Sequence, residues 1–445
     1  MFKLKIKNGH NVNIAGNPDK KFLPTRHHSS VSLSPENFRY IKPKLLVKEN
    51  DFVQLGDPVF FDKLNPEIKW PAIASGKVSK IVYGNRRVIK EIIFEVNDNK
   101  EKSLQPNSPD GLSSKEEVVN YLLEKNMWPF LRQRPFNKVA NPSDNPKSII
   151  ISLVNTAPLA INHHFTLSDQ QEYIVSALKH LKELTDGKLF LIVRPGEFTY
   201  LADLEYIDLI EVEGPHPAGN IGVVLNHIQP INNKDIIWTV EGHHLPILGK
   251  IFSDGIFDPS ITINIAGPCV KKPSYIKTRL GCPVDIYCQD NLTTDDVRII
   301  SGNVLTGKEI NLDGYTNFYD SSISIIEKSF ERSFMGWLHP GGSSKYSIFN
   351  AYIGDNKKPY RFTTLQNGSE RAFVPIGAWE KVFPMDIYIN ELARSIVAND
   401  VDEMEQLGIY ECDEEDVALC SFVCPSKTDV GGIIRKGLDL IYFDE

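Results

Sequence analysis

The stretch SIIISLVN, residues 148–155, is a short apolar run of the kind that forms a strand buried on both faces of a sheet. The amphipathic stretch SDQQEYIVSALKHLKEL (168–184) follows and predicts a helix, opened by a capping box of Ser168 and Gln171. KLFLIVR (188–194) and YIDLIEVEG (206–214) predict two further strands. Because strands that alternate with helices are typical of a parallel sheet, residues 101–254 are predicted to form a Rossmann-like α/β domain.

Before this region, the sequence predicts a small all-β domain over residues 1–100. Residues 44–96 alternate apolar and polar side chains, with turn signals at Asn50-Asp51, Gly56-Asp57 and Ser75-Gly76. The order of these short strands resembles a biotinyl/lipoyl-carrier β sandwich. The polar stretch 97–114 predicts a linker, and a helix capped by Ser113 or Ser114 follows it.

After the Rossmann-like region, the pattern changes twice more. Residues 255–330 return to strands, and ITINIAGPCVKKPSYIKTRLGCPVDIY resembles the β-grasp soluble-ligand-binding module. The remainder, 331–445, is predicted to be a mainly helical C-terminal domain. Its last helix places five apolar residues on one face: Val430, Ile433, Ile434, Leu438 and Ile441.

Composition and charge exclude several functional classes. The chain has 445 residues with 41% hydrophobic and 24% charged residues, and no stretch reaches the roughly 18 to 20 apolar residues of a membrane-spanning helix. The net charge of −8 is uneven: residues 1–48 carry ten Lys or Arg against two acids, and residues 400–416 carry nine acids and no base. These segments are either solvated faces or, for the basic one, a surface for an anionic membrane or an acidic partner. Without a basic stripe carrying interleaved aromatic residues, the chain is not expected to bind nucleic acid.

The cysteines near the C-terminus resemble part of an iron–sulfur motif. Only Cys420, Cys424 and Pro425 match the closing Cys-x3-Cys-Pro of a four-iron site, and seven residues separate Cys412 from Cys420. The cysteines at 269, 282 and 288 also lack paired spacing. The sequence therefore predicts no cluster, and it predicts that Cys420 and Cys424 are small buried residues one helical turn apart.

Several stretches together carry a family resemblance along nearly the whole chain. They are VKENDFVQLGDPVFFDKLNP, PAIASGKV, WPFLRQRPFNKVANP, NTAPLA, EGPHPAGNIG, IAGPCVKKPSYIKTRLG, RAFVPIGAWEKVFPMDI and EEDVALCSFVCPSK. In this order they resemble the flavoprotein subunit of respiratory complex I and the C subunit of the Rnf complex. More closely, the chain resembles the A subunit of the sodium-translocating NADH:quinone reductase.

The glycine-rich turn EGPHPAGNIG (213–222) lies where the complex I flavoprotein binds its flavin. It is not a G-x-G-x-x-G fingerprint, and its glycines serve either a phosphate or a sharp turn before a helix. His216 in this turn is either a donor to an anion or a quinone carbonyl, or a loop residue between two prolines. The paired histidines at 27/28, 163/164 and 243/244 predict no metal site, because adjacent residues of a strand point to opposite faces.

The stretch MWPFLRQRPFNKVANP (127–142) contains the other candidate ligand residues. Aromatic and cationic residues alternate in it, no acid occurs between Glu124 and Asp144, and three prolines are expected to keep it extended. Unpaired guanidinium groups beside aromatic rings can bind the carbonyls and flat face of a quinone. The alternative is an interdomain clamp with buried aromatic side chains. With His216, the candidates for a quinone site or a subunit interface are Trp128, Phe130, Arg132, Arg134, Phe136 and Lys138.

The resemblance implies a peripheral subunit on the cytoplasmic face of the bacterial inner membrane. Its complex would oxidise NADH, reduce ubiquinone and export sodium, with flavins and iron held by partner subunits, including membrane subunits. This chain would contribute assembly and part of a quinone-binding surface, and it would bind no cofactor stoichiometrically. The alternatives are a soluble NADH-dependent flavoenzyme that uses the Rossmann-like domain, or an Rnf-type electron-transfer subunit.

Overall fold

The computed structural model describes residues 2–97, 109, 111–330, 334–338, 340–342, 345–348, 353 and 358–444. Parts of the predicted linker and of the segment 331–357 lie outside these residues. The described chain forms four sheets and a set of C-terminal helices.

The N-terminal strands form two small antiparallel sheets that enclose a buried core. They are β1 (Phe2–Lys5), β2 (Ser30–Leu33), β3 (Pro43–Leu45), β4 (Phe52–Val53), β5 (Pro58–Asp62), β6 (Lys69–Pro71), β7 (Gly76–Tyr83) and β8 (Ile89–Val96). The sheet orders are β2-β8-β7-β4 and β3-β5-β6, and Phe60, Trp70 and Phe94 are fully buried in the core. The period-two alternation therefore predicted this all-β region correctly. Strand β1 is the exception, because it joins the large sheet of the next region.

The second region contains the large sheet and its helices. They are α1 (Lys115–Glu124), β9 (Leu131–Arg134), β10 (Lys138–Val139), β11 (Ser148–Ser152), α2 (His163–Thr166), α3 (Gln171–Glu183), β12 (Lys188–Val193), β13 (Asp208–Glu213), α4 (Ile221–Ile228), β14 (Ile237–Glu241) and α5 (Leu245–Asp254). The sheet order is β1-β13-β12-β11-β14-β9-β10. The first five strands are parallel, which confirms the predicted parallel sheet, and β9 and β10 add an antiparallel edge.

The strand order creates a crevice at one end of this sheet. From β11 the chain proceeds to β12 and β13 on one side, and it then returns through α4 to β14 on the other side of β11. The carboxyl ends of β11 and β14 pair directly, with Ser152 opposite Glu241. In open α/β sheets, such a reversal of strand order is where ligands bind.

One of the two predicted helix starts in this region is correct. Ser113 and Ser114 were the two predicted caps of α1. The structure has Ser114 as the cap, and it forms a reciprocal capping box with Glu117. The capping box predicted at Ser168 is wrong. Helix α3 begins at Gln171, and the Ser168 hydroxyl instead donates to the carbonyl oxygen of Phe165 (3.1 Å), because residues 163–170 form the turns that end α2.

The third region is a five-stranded mixed sheet. Its elements are β15 (Ser260–Ala266), β16 (Ser274–Arg279), α6 (Asp285–Cys288), β17 (Val297–Ser301), β18 (Lys308–Ile310) and β19 (Ser322–Glu327), with the sheet order β16-β15-β19-β17-β18. Only β15 and β19 pair in parallel.

The C-terminal helices are α7 (Ile389–Ala398), α8 (Val401–Gln406), α9 (Ala418–Val423) and α10 (Val430–Asp444). The predicted apolar face of α10 is correct: Val430, Ile434, Leu438 and Ile441 are buried, and Ile433 is partly buried. These helices pack with α4 on one face of the large sheet, so that Ile150 of β11 contributes to their core and Ile149 to the core on the other face. Both faces of the sheet are thus covered, which explains the continuous apolar strands.

The predicted domain boundaries at 100, 254 and 330 stay a prediction. Among the described residues, no helix has the length and apolar character needed to cross a membrane.

Candidate functional site

A pocket of about 100 Å³ lies in the crevice between the carboxyl ends of β11 and β14, beside the first turn of α4. Residues from three regions of the chain enclose it, including the turn at Asn303 and Thr306 of the third region. Three of the seven candidate residues from the sequence line this pocket: Arg132, Arg134 and His216.

Arg132 reaches the pocket from β9, which lies between β14 and β10, and it pairs with Thr239 of β14. Its guanidinium forms an ion pair with the carboxylate of Glu241, and it lies over the ring of Tyr319, 4.5 Å from the ring centroid. Burial lowers the pKa of Arg132 relative to its usual value. The buried Nε of Arg132 has no hydrogen-bond partner among the described residues.

Arg134, two residues further along the same strand, is 4% exposed and bound by carboxylates of the C-terminal region. Its Nη1 lies 3.1 Å from Oδ2 of Asp416, and its Nη2 lies 2.5 Å from Oε1 of Glu415 and 3.8 Å from Oδ2 of Asp413. Burial alone would lower the pKa of Arg134, but the carboxylates of Asp416, Asp413 and Glu415 raise it above its usual range. This guanidinium is therefore a permanently charged link between the sheet and the C-terminal helices.

The expectation of unpaired guanidinium groups is wrong for both arginines. The sequence around the two arginines contains no acid, but the fold brings acids to them from distant positions. Glu241 pairs with Arg132, and acids of the segment 413–416 pair with Arg134. The expectation of an extended segment is also wrong. Residues Trp128–Phe130 form a 3₁₀ turn, and β9 and β10 pair as an antiparallel hairpin whose turn contains Phe136 and Asn137 at positive φ.

His216 is held in the pocket wall by hydrogen bonds at three atoms, and its backbone carbonyl oxygen accepts one of them from the His10 N–H (2.8 Å). Its ring Nδ1 lies 3.1 Å from the hydroxyl of Thr156, and its backbone N–H donates to Oδ1 of Asn11 (3.0 Å). Burial lowers the pKa of His216 to about 4, so the ring is neutral at pH 7. A neutral imidazole can donate one hydrogen bond and accept another, which suits a carbonyl or hydroxyl ligand.

The other four candidates lie outside the pocket. Trp128 and Phe130 are fully buried, and the Trp128 indole N–H donates to the carbonyl oxygen of Ala140 (2.7 Å). Phe136 packs against Tyr442 of α10 with ring centroids 5.3 Å apart, and the Lys138 amine lies 4.9 Å from the centroid of the same ring. The contacts of Phe136 and Lys138 join the β9–β10 hairpin to α10. The ligand roles suggested for all seven residues stay a prediction.

The glycine-rich turn at 213–222 packs closely against the chain itself. A Cβ at Gly219 would lie 2.3 Å from the carbonyl oxygen of Val154, and a Cβ at Gly222 would lie 2.1 Å from Oδ2 of Asp416. The side-chain amide of Asn220 donates to the carbonyl oxygen of Glu415 (2.9 Å). The C-terminal segment thus occupies the approach to the first turn of α4, which explains these glycines without a bound phosphate.

Sequence reasoning missed His163, which also lines the pocket and is 6% exposed. Its ring stacks on that of His243 with centroids 6.3 Å apart, and His243 contacts His244 at 4.1 Å. Burial lowers the pKa of His163 to about 4 and that of His244 to about 3, so both are neutral at pH 7. The repeated His-His pairs were the only signal for this cluster. Within the described ranges, no group of three or more His, Cys, Asp or Glu side chains is placed to hold a metal ion.

The cysteines near the C-terminus are buried free thiols. Cys420 lies in α9 and Cys424 follows its end in an extended conformation, so the two do not share a regular helical turn as expected. Cys412 lies before α9 and is 3% exposed.

Comparison with known protein families matches three stretches of the chain. Residues 4–97 match the NqrA N-terminal barrel-sandwich hybrid domain, residues 113–257 match the NqrA second alpha/beta domain, and residues 262–311 match the model described as the NQRA C-terminal domain, of the SLBB type. Among solved structures, an NAD+-reducing [NiFe]-hydrogenase in the H2-reduced state matches 48% of this chain and 47% of its own. Its identity is 10% and its TM-score is 0.35, which supports no conclusion.

Curated relatives match over almost the full length. Each bears the name of the A subunit of a Na(+)-translocating NADH-quinone reductase. The relative from Yersinia pseudotuberculosis is 36% identical over 98% of this chain and 99% of its own length. Those from Hahella chejuensis and Haemophilus influenzae are 35% and 34% identical with the same coverage. These matches confirm the resemblance found in the sequence, and the chain therefore belongs to the NqrA family, the A subunits of the Na(+)-translocating NADH-quinone reductases.

Proposed function

We propose that this chain is a peripheral subunit of a membrane complex that couples NADH oxidation and ubiquinone reduction to sodium export. The observation that carries the proposal is the 36% identity to a named NqrA protein over 98% of this chain and 99% of the relative. The oxidoreductase and translocase activity belongs to the whole complex, with flavins and iron in partner subunits and no stoichiometric cofactor in this chain. We place it on the cytoplasmic face of the bacterial inner membrane, in contact with membrane subunits.

We further propose the finer fold assignments of a carrier-like sandwich, a Rossmann-like domain and a β-grasp module. The parallel sheet with a reversal of strand order supports the second of these. A soluble NADH-dependent flavoenzyme is less well supported. The crevice where such a sheet would bind a cofactor measures about 100 Å³, whereas cofactor sites occupy roughly 300 to 1,000 Å³.

Within the complex, we propose that the pocket contacts one carbonyl of a quinone head group. Arg132 offers a buried Nε without a partner, and neutral His216 and His163 offer ring nitrogens. A cavity that holds a six-membered ring measures about 150 Å³, so the pocket in this conformation admits an edge of the ring and not the whole ring. The ring itself would lie toward Glu415, whose side chain is 43% exposed.

Arg132→Ala in the assembled complex tests this proposal. A hydrogen bond to a charged group is worth about 1.5 to 3 kcal/mol, so quinone affinity should fall roughly tenfold or more. Arg132→Lys should recover only part of the affinity, because an ammonium group lacks the planar fork of a guanidinium. Binding of a short-chain ubiquinone and the melting temperature are measured on the same samples.

The matched control is Arg298→Ala, which removes a partly exposed arginine that pairs with Glu309 in the third region. It should leave quinone affinity unchanged. If Arg132→Ala lowers stability while quinone affinity stays at the control value, the pocket is only an interdomain contact. Normal turnover of a complex that lacks this chain would refute its role in the reductase.

A further inference from the structure

Three arginines from three distant parts of the chain converge on a single turn, Asp413–Asp416, which we call the acidic turn. Arg39 precedes β3, Arg134 ends β9 and Arg435 lies in α10. The acidic turn immediately precedes α9. The same few carboxylates therefore join the N-terminal region, the parallel sheet and the C-terminal helices.

The contacts within this group are short and form a continuous network. Nη2 of Arg435 lies 2.5 Å from Oδ1 of Asp413 and 3.0 Å from Oε2 of Glu414. Arg39 forms ion pairs with the same two carboxylates. Arg134 binds Asp416 at the other end of the turn. Each of the three arginines is the nearest cation to at least one carboxylate of the turn, so removing any one of them takes away that nearest cation.

The network contains more carboxylates than arginines. Four carboxyl groups of the acidic turn face three guanidinium groups, and the side chains of Asp413 and Asp416 are 4% and 0% exposed. Unpaired charge at such a site is costly, because the surroundings cannot solvate it as water does. The remaining titratable or charged groups that face the turn do not restore the balance: Arg132, which is already paired with Glu241, and Tyr40, Glu411, Cys412, Lys436 and Asp439.

We propose that the acidic turn is a proton-operated latch, which binds one extra proton while it is docked on the three arginines and which holds the C-terminal helices less tightly after that proton is lost. Solvent has access to the latch from one side. Glu414 lines a shallow groove of about 400 Å³ along α10, so the proton exchanges without unfolding of the core.

The acid–base properties of the turn agree with this geometry. Burial, together with neighbouring carboxylates, raises the pKa of Glu414 and that of Asp416 to about 7. The pKa of Asp413 is lowered, because Arg134 and Arg39 outweigh the effect of its burial. The extra proton therefore resides on Glu414 or Asp416, at the two ends of the network.

The direction of the pH effect follows from these pKa values. A carboxyl group titrates near pH 4 when it is released into water and near pH 7 in the docked turn, so the docked state binds the proton more tightly. The stability of the docked state is therefore highest at low pH, falls as the pH rises toward 7, and is constant above that value. One proton corresponds to an approximately tenfold change in the opening equilibrium per pH unit.

Hydrogen exchange on the full-length chain tests the latch, with samples between about pH 5.5 and 8.5. After correction for the intrinsic pH dependence of exchange, opening of α10 should increase about tenfold per unit up to about pH 7 and then level off. Helix α3, which lies on the other face of the sheet, is the internal reference and should not follow this curve. The buried neutral histidines cannot produce the effect, because their lowered pKa values make the native state more stable as the pH rises.

Two variants then identify the groups that hold the proton. Glu414→Gln or Asp416→Asn removes one negative charge, and at least one of them should abolish the pH dependence of α10 opening. Glu403→Gln, at an exposed position of α8, is the matched control and should leave the curve unchanged. If wild-type α10 and α3 respond to pH in parallel, or if both neutral variants retain the wild-type curve, there is no latch. The wild-type comparison decides the question even if the variants fail to fold.

Discussion

Arg134→Ala should be among the most destabilising substitutions in this chain. The Arg134 side chain is 4% exposed and lies within ion-pair distance of Asp413, Glu415 and Asp416, and the Asp416 side chain is fully buried. Removing the guanidinium leaves buried carboxylates without their cation, which costs about 3 to 5 kcal/mol. Truncating a long side chain also leaves a space beside Gly222. A Cβ built at Gly222 would lie 3.0 Å from Nη1 of Arg134, so the two residues are close neighbours.

Thermal unfolding measures this loss. An unfolding entropy of about 2.1 cal/mol/K per residue gives this 445-residue chain a fall in melting temperature of about 1 °C per kcal/mol if it unfolds cooperatively. Arg134→Ala should therefore lower the melting temperature by about 3 to 5 °C. Arg298→Ala removes an exposed ion pair and should cost less than about 1 kcal/mol.

The double variant Arg134→Ala with Asp416→Asn separates the lost ion pair from lost packing. Because the second change removes the uncompensated charge, it should restore part of the stability that Arg134→Ala loses. The single variant should also lose less stability at pH 6 than at pH 8, since the pKa of Asp416 is already raised to about 7. An Arg134→Ala variant as stable as Arg298→Ala at both pH values would refute the reasoning.

Two further predictions concern the N-terminal segment and the cysteines. Reversing Lys42, Lys44 and Lys48 to Glu should release the chain from its complex at lower salt, because exposed charges are screened over about 8 to 10 Å; association that is independent of salt in both forms would assign the contact to apolar surfaces. Cys420→Ala or Cys424→Ala should change thermal stability and leave electron transfer in the assembled complex intact. A metal analysis that finds about four irons per chain would contradict this prediction.

The sequence predicted β11, β12, β13 and α3 because their apolar runs are continuous and long enough to define a period. It did not predict the place of β1, whose residues FKLK are mostly exposed and pair with β13 more than 200 residues away. It also misplaced the start of α3, where Ser168 had the composition of a cap but the backbone was already part of the preceding turns. Pairings between distant segments leave little trace in a local pattern.

The same limit applies to the acidic segment 400–416. Its charge was visible in the sequence, and it was interpreted as a solvated face. In the structure its last four acids are the partners of arginines at 39, 134 and 435. An acid-free basic stretch and a base-free acidic stretch within one chain can be complementary to each other, and this possibility is worth testing before an external partner is assigned to either.

Arg132 and Arg134 looked equivalent in the sequence, but substitutions at the two positions test different properties of the protein. Arg134 forms part of the pocket wall and of the ion network, so any change to it alters the docking of the C-terminal helices together with the pocket. Arg132 pairs with Glu241, the last residue of a strand in the same sheet, and lies over Tyr319. Loss of quinone affinity in Arg134→Ala would therefore not distinguish a lost ligand contact from a displaced domain. The ligand proposal depends on Arg132, and the latch depends on Glu414 and Asp416.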